Sequence, residues 1–162
     1  MSQATARLAE LGLSLPEVAT PVGAYVPALR SGNQVLTSGQ LPVVDGTLLH
    51  PGKVGDQVTV EQAYAAARVA ALNAVAAAAS VAGGLEAISR VVRVMVFVAS
   101  SADFTDQAQV ANGASELVGA IFPGGHVRSA VGVAVLPKNA PVEVELVVDA
   151  PEQPRAVPVT RA

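Results

Sequence analysis

The fold is decided by residues 59–84, which read TVEQAYAAARVAALNAVAAAASVAGG, and by the apolar run that follows them. Thr59 is a typical helix N-cap, and Gln62 three positions later completes a capping box. The glycine pair 83–84 is a helix-ending signal, so we predict a long helix over residues 60–82. Because alanine occupies much of its circumference, we expect this helix to be mostly buried, against a sheet on one side and near another subunit on the other.

The segment Ile88 to Ala99 is a predicted central strand, because apolar side chains alternate onto both of its faces. A second helix is predicted from about Phe104 to Ile121, with N-cap chemistry from residues 101–103. Two helices on one face of a mixed sheet place the chain in the α+β class, and we expect self-association to cover the other face. Four shorter strands are predicted at 25–29, 34–38, 127–136 and 141–148.

Composition limits the classes of function. The 162 residues are 51% hydrophobic and 14% charged, which is too apolar for a disordered chain and suits one domain. A net charge of −3 and the lack of a basic cluster argue against nucleic-acid binding. The absence of cysteine excludes disulfide and thiol chemistry. No uninterrupted apolar run approaches the roughly 20 residues that span a bilayer, and no signal peptide is evident, so we expect a cytoplasmic protein without a membrane partner.

Polar residues within the apolar strands are the candidate site residues. Arg128 opens a strand that is otherwise almost entirely apolar, and Glu143 lies in a Val-Glu-Val-Glu run with Glu145. On spacing alone each has an ordinary structural explanation: a strand-end cation paired with a carboxylate or carbonyl, and a solvated strand face. His126 is likewise expected to be a rim histidine, and since it and His50 lack metal-ligand spacing, no metal site is predicted.

Two paired segments and a helix pattern resemble the signatures of the Rid family, the reactive-intermediate deaminases also called YjgF-like, RidA-like or endoribonuclease L-PSP-like proteins. They are similar in their order, their separation and most of their residues. The segments are VGAYV at 22–26 with LTSGQLP at 36–42, DF at 103–104 with VAN at 110–112 and Glu116, and RSAVGVAVLP at 128–137 with VEVE at 142–145.

The chain departs from the family pattern in three places, which indicates a divergent branch. Pro27 removes a backbone donor near the first strand, and Gly132 stands where many deaminase-type members carry glutamate. Residues 1–22, with a short predicted helix, form an N-terminal extension to the Rid-like domain at 23–149. Residues 150–162 are predicted to be a flexible tail.

The resemblance implies a chorismate-mutase-like fold of the bacillar type, assembled as a homotrimer with clefts between subunits. Active members hydrolyse reactive 2-imino and 2-enamino acids to 2-oxo acids and ammonia, with no metal and no cofactor. The expected partner is therefore a small imine, enamine or carboxylate ligand.

The resemblance also assigns roles to residues. Arg128 would hold the substrate carboxylate through two parallel hydrogen bonds, and Glu143 would orient or deprotonate the attacking water. The remaining substrate-binding residues that the resemblance implies are Tyr25, Ser38, Gly39, Gln40 and Asn112.

Two other functions stay open at this point. One is a non-catalytic trimer that binds small carboxylates or partner proteins, which would share Arg128 with the deaminase. The other is the ribonuclease activity attached to some relatives, against which the negative charge and scarce aromatics weigh.

Overall fold

The structure is a computed structural model that describes residues 3–21 and 23–151. Its helices and strands, in chain order, are α1 (Gln3–Glu10), β1 (Ala28–Ser31), β2 (Gln34–Thr37), β3 (Val43–Val44), β4 (Thr47–Leu48), α2 (Val60–Ala82), β5 (Arg90–Ala99), α3 (Gln107–Ile121), β6 (Val127–Val133) and β7 (Val142–Asp149). Short 3₁₀ turns lie at Leu85–Ala87 and Pro137–Asn139.

Five strands form one mixed sheet in the order β1-β2-β7-β5-β6. The pairing of β5 with β6 is parallel, and the other neighbours in this sheet are antiparallel. Helices α2 and α3 pack on one face of the sheet and against each other. The predicted α+β class, with a mixed sheet and two helices on one face, is therefore confirmed.

Burial along the central strand shows which face the helices cover. Val94, Val96 and Val98 are fully buried, whereas Arg93, Met95 and Phe97 are half-buried or exposed. Strict alternation along the strand would place Val91 on the same face as Arg93, and this is not what the structure shows. A bulge between Val91 and Arg93 shifts the register, so Val91 is buried on the same side as Val94.

Helix α2 begins and ends where its local signals predict. The Thr59 hydroxyl oxygen accepts from the Gln62 backbone N–H at 3.2 Å, and the Gln62 side-chain oxygen accepts from the Thr59 N–H at 3.0 Å. At the other end Gly83 has φ 101°, a left-handed conformation that favours glycine. Of its buried side chains, all but Val75 are alanine.

Helix α2 also has the length and mean hydropathy of a membrane span, which the sequence argument did not anticipate. An 18-residue window averages a hydropathy of 1.5, and 61% of that window is buried inside the protein. Because its apolar side chains pack against α3 and the sheet, α2 is the core helix of this fold.

The contact between α2 and α3 is close because α3 carries a glycine where it crosses α2. A Cβ atom at Gly113 would overlap with the backbone carbonyl oxygen of Tyr64 and would lie 3.3 Å from the backbone nitrogen of Arg68. The two helix backbones therefore touch at this point. A hydrogen bond of 2.6 Å from the Tyr64 hydroxyl to the Glu116 carboxylate adds a second link.

Three predicted boundaries were wrong, and each has a structural reason. Strand β1 begins at Ala28 rather than Tyr25, which lies in a bend. Helix α3 begins at Gln107, since the Gln107 side chain donates to the Phe104 carbonyl and closes a turn before the helix. Strand β6 ends at Val133, because its last partner on β5 is the terminal residue Ala99.

A small hairpin of β3 and β4 lies between β2 and α2, where no strand was predicted. Its turn is Asp45-Gly46, with φ values of 49° and 78°. An Asp-Gly pair between short apolar segments is a typical hairpin signal, and it was present in the sequence.

The N-terminal segment is fastened to the helical layer. Arg7 donates to the carbonyl of Ile121 at the end of α3 at 3.3 Å, and the Thr5 N–H donates to the Glu86 carboxylate at 3.2 Å. At the other end, Ala150 is buried and its N–H donates to the Asn33 carbonyl at 2.8 Å. Most of the tail predicted for 150–162 falls on residues 152–162, outside the described residues.

Gly113→Ala is expected to lower the free energy of unfolding by about 1–3 kcal/mol, because the added methyl group forces two packed backbones apart. The matched control is Gly119→Ala in the same helix, where a Cβ meets nothing within 4 Å. That change is expected to raise stability by about 0.5–1 kcal/mol through helix propensity. Urea denaturation at one protein concentration measures both, and equal effects would contradict the close contact.

Candidate active site

Strand pairing places Arg128 on the helix-covered side of the sheet. It lies opposite the buried Val94 on β5, so its side chain extends toward α3. There its Nη1 atom donates to Asn112 Oδ1 at 2.9 Å and to Ser115 Oγ at 3.1 Å. Asn112 and Ser115 are three residues apart, which places both side chains on one face of the helix.

The guanidinium of half-buried Arg128 has one edge without a hydrogen-bond partner among the described residues. The two N–H groups of Nη1 are occupied by Asn112 and Ser115, and these acceptors are neutral. Within residues 3–21 and 23–151, Nε and Nη2 find no acceptor and no carboxylate pairs with Arg128. The Nε–Nη2 edge carries parallel donors with the spacing that a carboxylate accepts.

Glu143 lies on the opposite face of the sheet. It pairs with Phe97 on β5, three positions from Val94, and therefore lies on the face that the described helices leave uncovered. Its carboxylate packs directly on the backbone of Gly39, where a Cβ atom would overlap with it. Burial, and second the nearby Glu145 carboxylate, raise the pKa of Glu143 above its ordinary value.

A cleft beside Gly39 contains other predicted site residues. It has about 550 Å³ of space not filled by atoms, partly open to solvent, and Tyr25, Gly39 and Gln40 contribute to its wall. Gln40 is buried, and its N–H donates to the Val144 carbonyl at 2.9 Å, next to Glu143. The remaining lining residues come from the N-terminal segment, the β2–β3 region and the Pro137 turn: Ala19, Thr20, Pro21, Pro27, Leu41, Val43, Pro137 and Lys138.

Ser38 contributes to the shape of this region through its own hydrogen bonds. Its hydroxyl donates to the Val26 carbonyl at 2.7 Å, and its N–H donates to the Pro27 carbonyl at 2.9 Å. These bonds hold the segment that carries Tyr25 against the end of β2. Both donors of Ser38 are thus occupied within the chain.

A single chain does not bring all the predicted site residues together. Asn112 lies with Arg128, whereas Gly39 lies with Glu143. From the strand register, the Cα atoms of Arg128 and Glu143 are roughly 14 Å apart, with side chains on opposite faces. Their joint action on one ligand stays a prediction, which requires the clefts between subunits that the family resemblance implies.

Ser115 and His126, which were not among the predicted site residues, lie beside Arg128. His126 Nε2 lies 3.0 Å from Ser115 Oγ, the same oxygen that accepts from Arg128. Burial, and second the Arg128 charge, lower the pKa of His126 below its ordinary value. The spacing of Ser115 from Asn112 was the available signal, but the approach of His126 depends on how β6 and α3 pack.

Potential metal ligands are dispersed: in the part of the chain that the structure describes, no three His, Asp or Glu side chains gather into a metal-binding group. The predictions that the site holds no metal and uses no cofactor stay predictions.

Glu145→Gln is expected to lower the pKa of Glu143 but to leave it above its ordinary value, because burial is the larger cause. A raised carboxyl pKa means that the fold favours the protonated form, so the stability that Glu143 contributes is lost as the pH rises through its folded pKa. Side-chain ¹³C NMR titration measures the shift. The control is Glu116→Gln on α3, which is expected to leave the Glu143 pKa unchanged. The same Glu143 pKa in Glu145→Gln and in the wild type would contradict this electrostatic coupling.

Comparison with known proteins identifies relatives over nearly the whole chain. Residues 5–150 match the family described as "YjgF/chorismate_mutase-like, putative endoribonuclease". Protein TCP17 of Trypanosoma cruzi is 45% identical over 147 residues, covering 89% of this chain and 92% of that protein. The 2-iminobutanoate/2-iminopropanoate deaminase of Dermatophagoides farinae is 33% identical over 137 residues, covering 84% and 93%.

Solved structures share the fold. Atu1372 of Agrobacterium tumefaciens, a protein of unknown function, aligns with a TM-score of 0.81 at 43% identity, covering 91% of this chain and 92% of that one. Escherichia coli TdcF with bound serine aligns with a TM-score of 0.60 at 26% identity, covering 82% and 92%. With signatures, fold and relatives in agreement, this chain belongs to the YjgF/RidA family of chorismate-mutase-like proteins.

Proposed function

We propose that this protein hydrolyses reactive 2-imino and 2-enamino acids to 2-oxo acids and ammonia. The observation that carries the proposal is the free Nε–Nη2 edge of Arg128, fixed in place through Nη1. A 2-imino acid has a carboxylate beside its electrophilic carbon, so holding the carboxylate on this edge also positions the carbon. Two findings support the ligand class: a relative named for this deaminase activity, and the serine bound to TdcF.

Glu143 is the proposed base. Its raised pKa makes the ionised form a better proton acceptor than an ordinary surface glutamate. In the proposed step a water oxygen bonds to the imine carbon while Glu143 takes one water proton. That proton and the second water proton then pass to the nitrogen, the C–N bond breaks, and ammonia leaves as the new C=O bond forms. An enamine first takes a proton on carbon and gives up one proton from nitrogen, which makes it the imine.

The proposed site requires a homotrimer, with Arg128 and Glu143 facing the same cleft from neighbouring subunits. Support comes from the sheet face that carries Glu143, which no helix covers and which exposes apolar side chains. By strand register this face includes Leu29, Leu36, Val127 and Val131, which are 51%, 37%, 65% and 42% exposed. Large apolar side chains grouped on one face are typical of an interface.

The wider proposal is a cytoplasmic enzyme without metal, cofactor, nucleic-acid or membrane partner. Its chemistry needs only a positioned water and a held carboxylate, and the chain's net charge of −3 disfavours polyanion binding.

The second candidate is a non-catalytic trimer that binds small carboxylates. It is favoured by one observation: the hydrogen bonds that hold Arg128 in place come from α3 and do not involve Glu143, which lies on the other face of the sheet. Turnover separates the two candidates.

Arg128→Ala is expected to abolish acceleration of ammonia release from a 2-imino acid generated in place by an amino-acid oxidase, because the carboxylate loses its donors. The matched control is Arg90→Ala, which removes an exposed guanidinium that pairs with Asp149 at 2.7 Å on the chain's own surface. The control is expected to retain full activity. No acceleration by a folded wild-type protein would exclude the deaminase and leave the binding protein.

Gly39→Ala is expected to lower kcat at least tenfold while the protein stays folded, because the new methyl group displaces the flexible end of Glu143 rather than backbone. Glu143→Gln is expected to show the same loss, with binding of 2-oxobutanoate retained. Steady-state ammonia release and calorimetric titration measure the two effects. Full turnover in both variants would show that the water is activated elsewhere.

A further inference from the structure

Two hydrogen bonds lie in series behind Arg128, and donor chemistry sets the direction of the first. Arginine only donates, so Ser115 Oγ must accept the bond from Nη1. The hydroxyl proton of Ser115 is then free to point to the next acceptor. His126 Nε2, 3.0 Å from the same oxygen, is in position to receive it.

This direction specifies the state of His126. When the Ser115 hydroxyl donates to Nε2, that nitrogen carries a lone pair, so the ring is neutral with its proton on Nδ1. The half-buried position and the positive charge of Arg128 both disfavour an imidazolium here, and no other charged group contributes to the lowered pKa of His126. The donors and acceptors of the three side chains therefore match along the whole series of hydrogen bonds.

We propose that Ser115 and His126 are positioning residues, which form the relay Arg128 → Ser115 → His126 and hold the guanidinium edge ready for the carboxylate of a ligand. Asn112 anchors the second proton of Nη1, so the guanidinium plane is fixed by two acceptors from one helix. A flexible arginine would have to be ordered by each incoming ligand. The relay orders it beforehand, which strengthens binding.

The inference rests on the proposed function in one respect, since it takes a carboxylate as the ligand of Arg128. The donor and acceptor roles within the relay do not depend on a bound ligand. Two measurements therefore separate a failure of the relay from a failure of the proposed function.

The first measurement is a long-range ¹H–¹⁵N NMR spectrum of the histidine rings in the full-length protein at pH 7.5. The chain has two histidines, so a His50→Asn variant assigns the signals. We expect His126 to be neutral with Nδ1 protonated and Nε2 unprotonated, and Ser115→Ala to shift the Nε2 signal. A protonated Nε2 would mean that His126 donates to Ser115, which would overturn the relay.

The second measurement is calorimetric titration with 2-oxobutanoate, a stable 2-oxo acid. Ser115→Ala is expected to weaken binding about threefold to tenfold, the effect of one lost hydrogen bond to a charged group. His126→Ala is expected to weaken it by about twofold to threefold, with partial recovery on adding free imidazole. The controls are Ser80→Ala, whose hydroxyl donates within α2 at 2.8 Å, and His50→Asn, both expected to bind like wild type.

The outcomes are distinct. Wild-type affinity in both Ser115→Ala and His126→Ala would overturn the positioning role and leave the deaminase proposal intact. No binding of 2-oxobutanoate by the wild type would overturn the carboxylate site and the proposed function. The NMR spectrum would still decide whether the hydrogen-bond relay exists.

Discussion

The close contact of α2 and α3 at Gly113 is the constraint on which the candidate site depends. Backbone touches backbone there, so the depth of α3 over the sheet is fixed by atoms that cannot change conformer. Asn112 and Ser115 flank this glycine on the same helix and reach Arg128 from it. Because hydrogen bonds require short donor–acceptor distances and good alignment, this glycine helps to set the geometry around Arg128.

The two faces of the sheet separate the predicted site residues into two groups, because side chains alternate between the faces along each strand. Strand β6 presents Arg128 to the helices, whereas β7 presents Glu143 to the face that no helix covers. Side chains alternate with a period of two, so no local rearrangement of one subunit can bring these residues to the same side. A site that uses both must be completed by a second chain, and oligomerisation would then be a condition of activity as well as of stability.

The sequence correctly predicted those parts of the fold whose signals act over only a few residues. Helix α2 was predicted to the residue because its capping box and its terminal glycine act within one turn. The starts of β1 and α3 were missed, because Tyr25 and Phe104 are placed by contacts that no local pattern encodes. Arg128 and Asn112 were predicted together through the family resemblance. The link of His126 to Ser115 was not predicted, because it depends on how α3 packs beside the strand that follows it.

The alanine-rich core helix has a thermodynamic consequence. A buried alanine removes little apolar surface from water, but it also has no side-chain rotamers to lose, so its folding costs no side-chain entropy. Exposing such small apolar areas also adds little heat capacity on unfolding. The stability curve of this protein is therefore expected to be broad and shallow, with a free energy that changes slowly between cold and warm conditions.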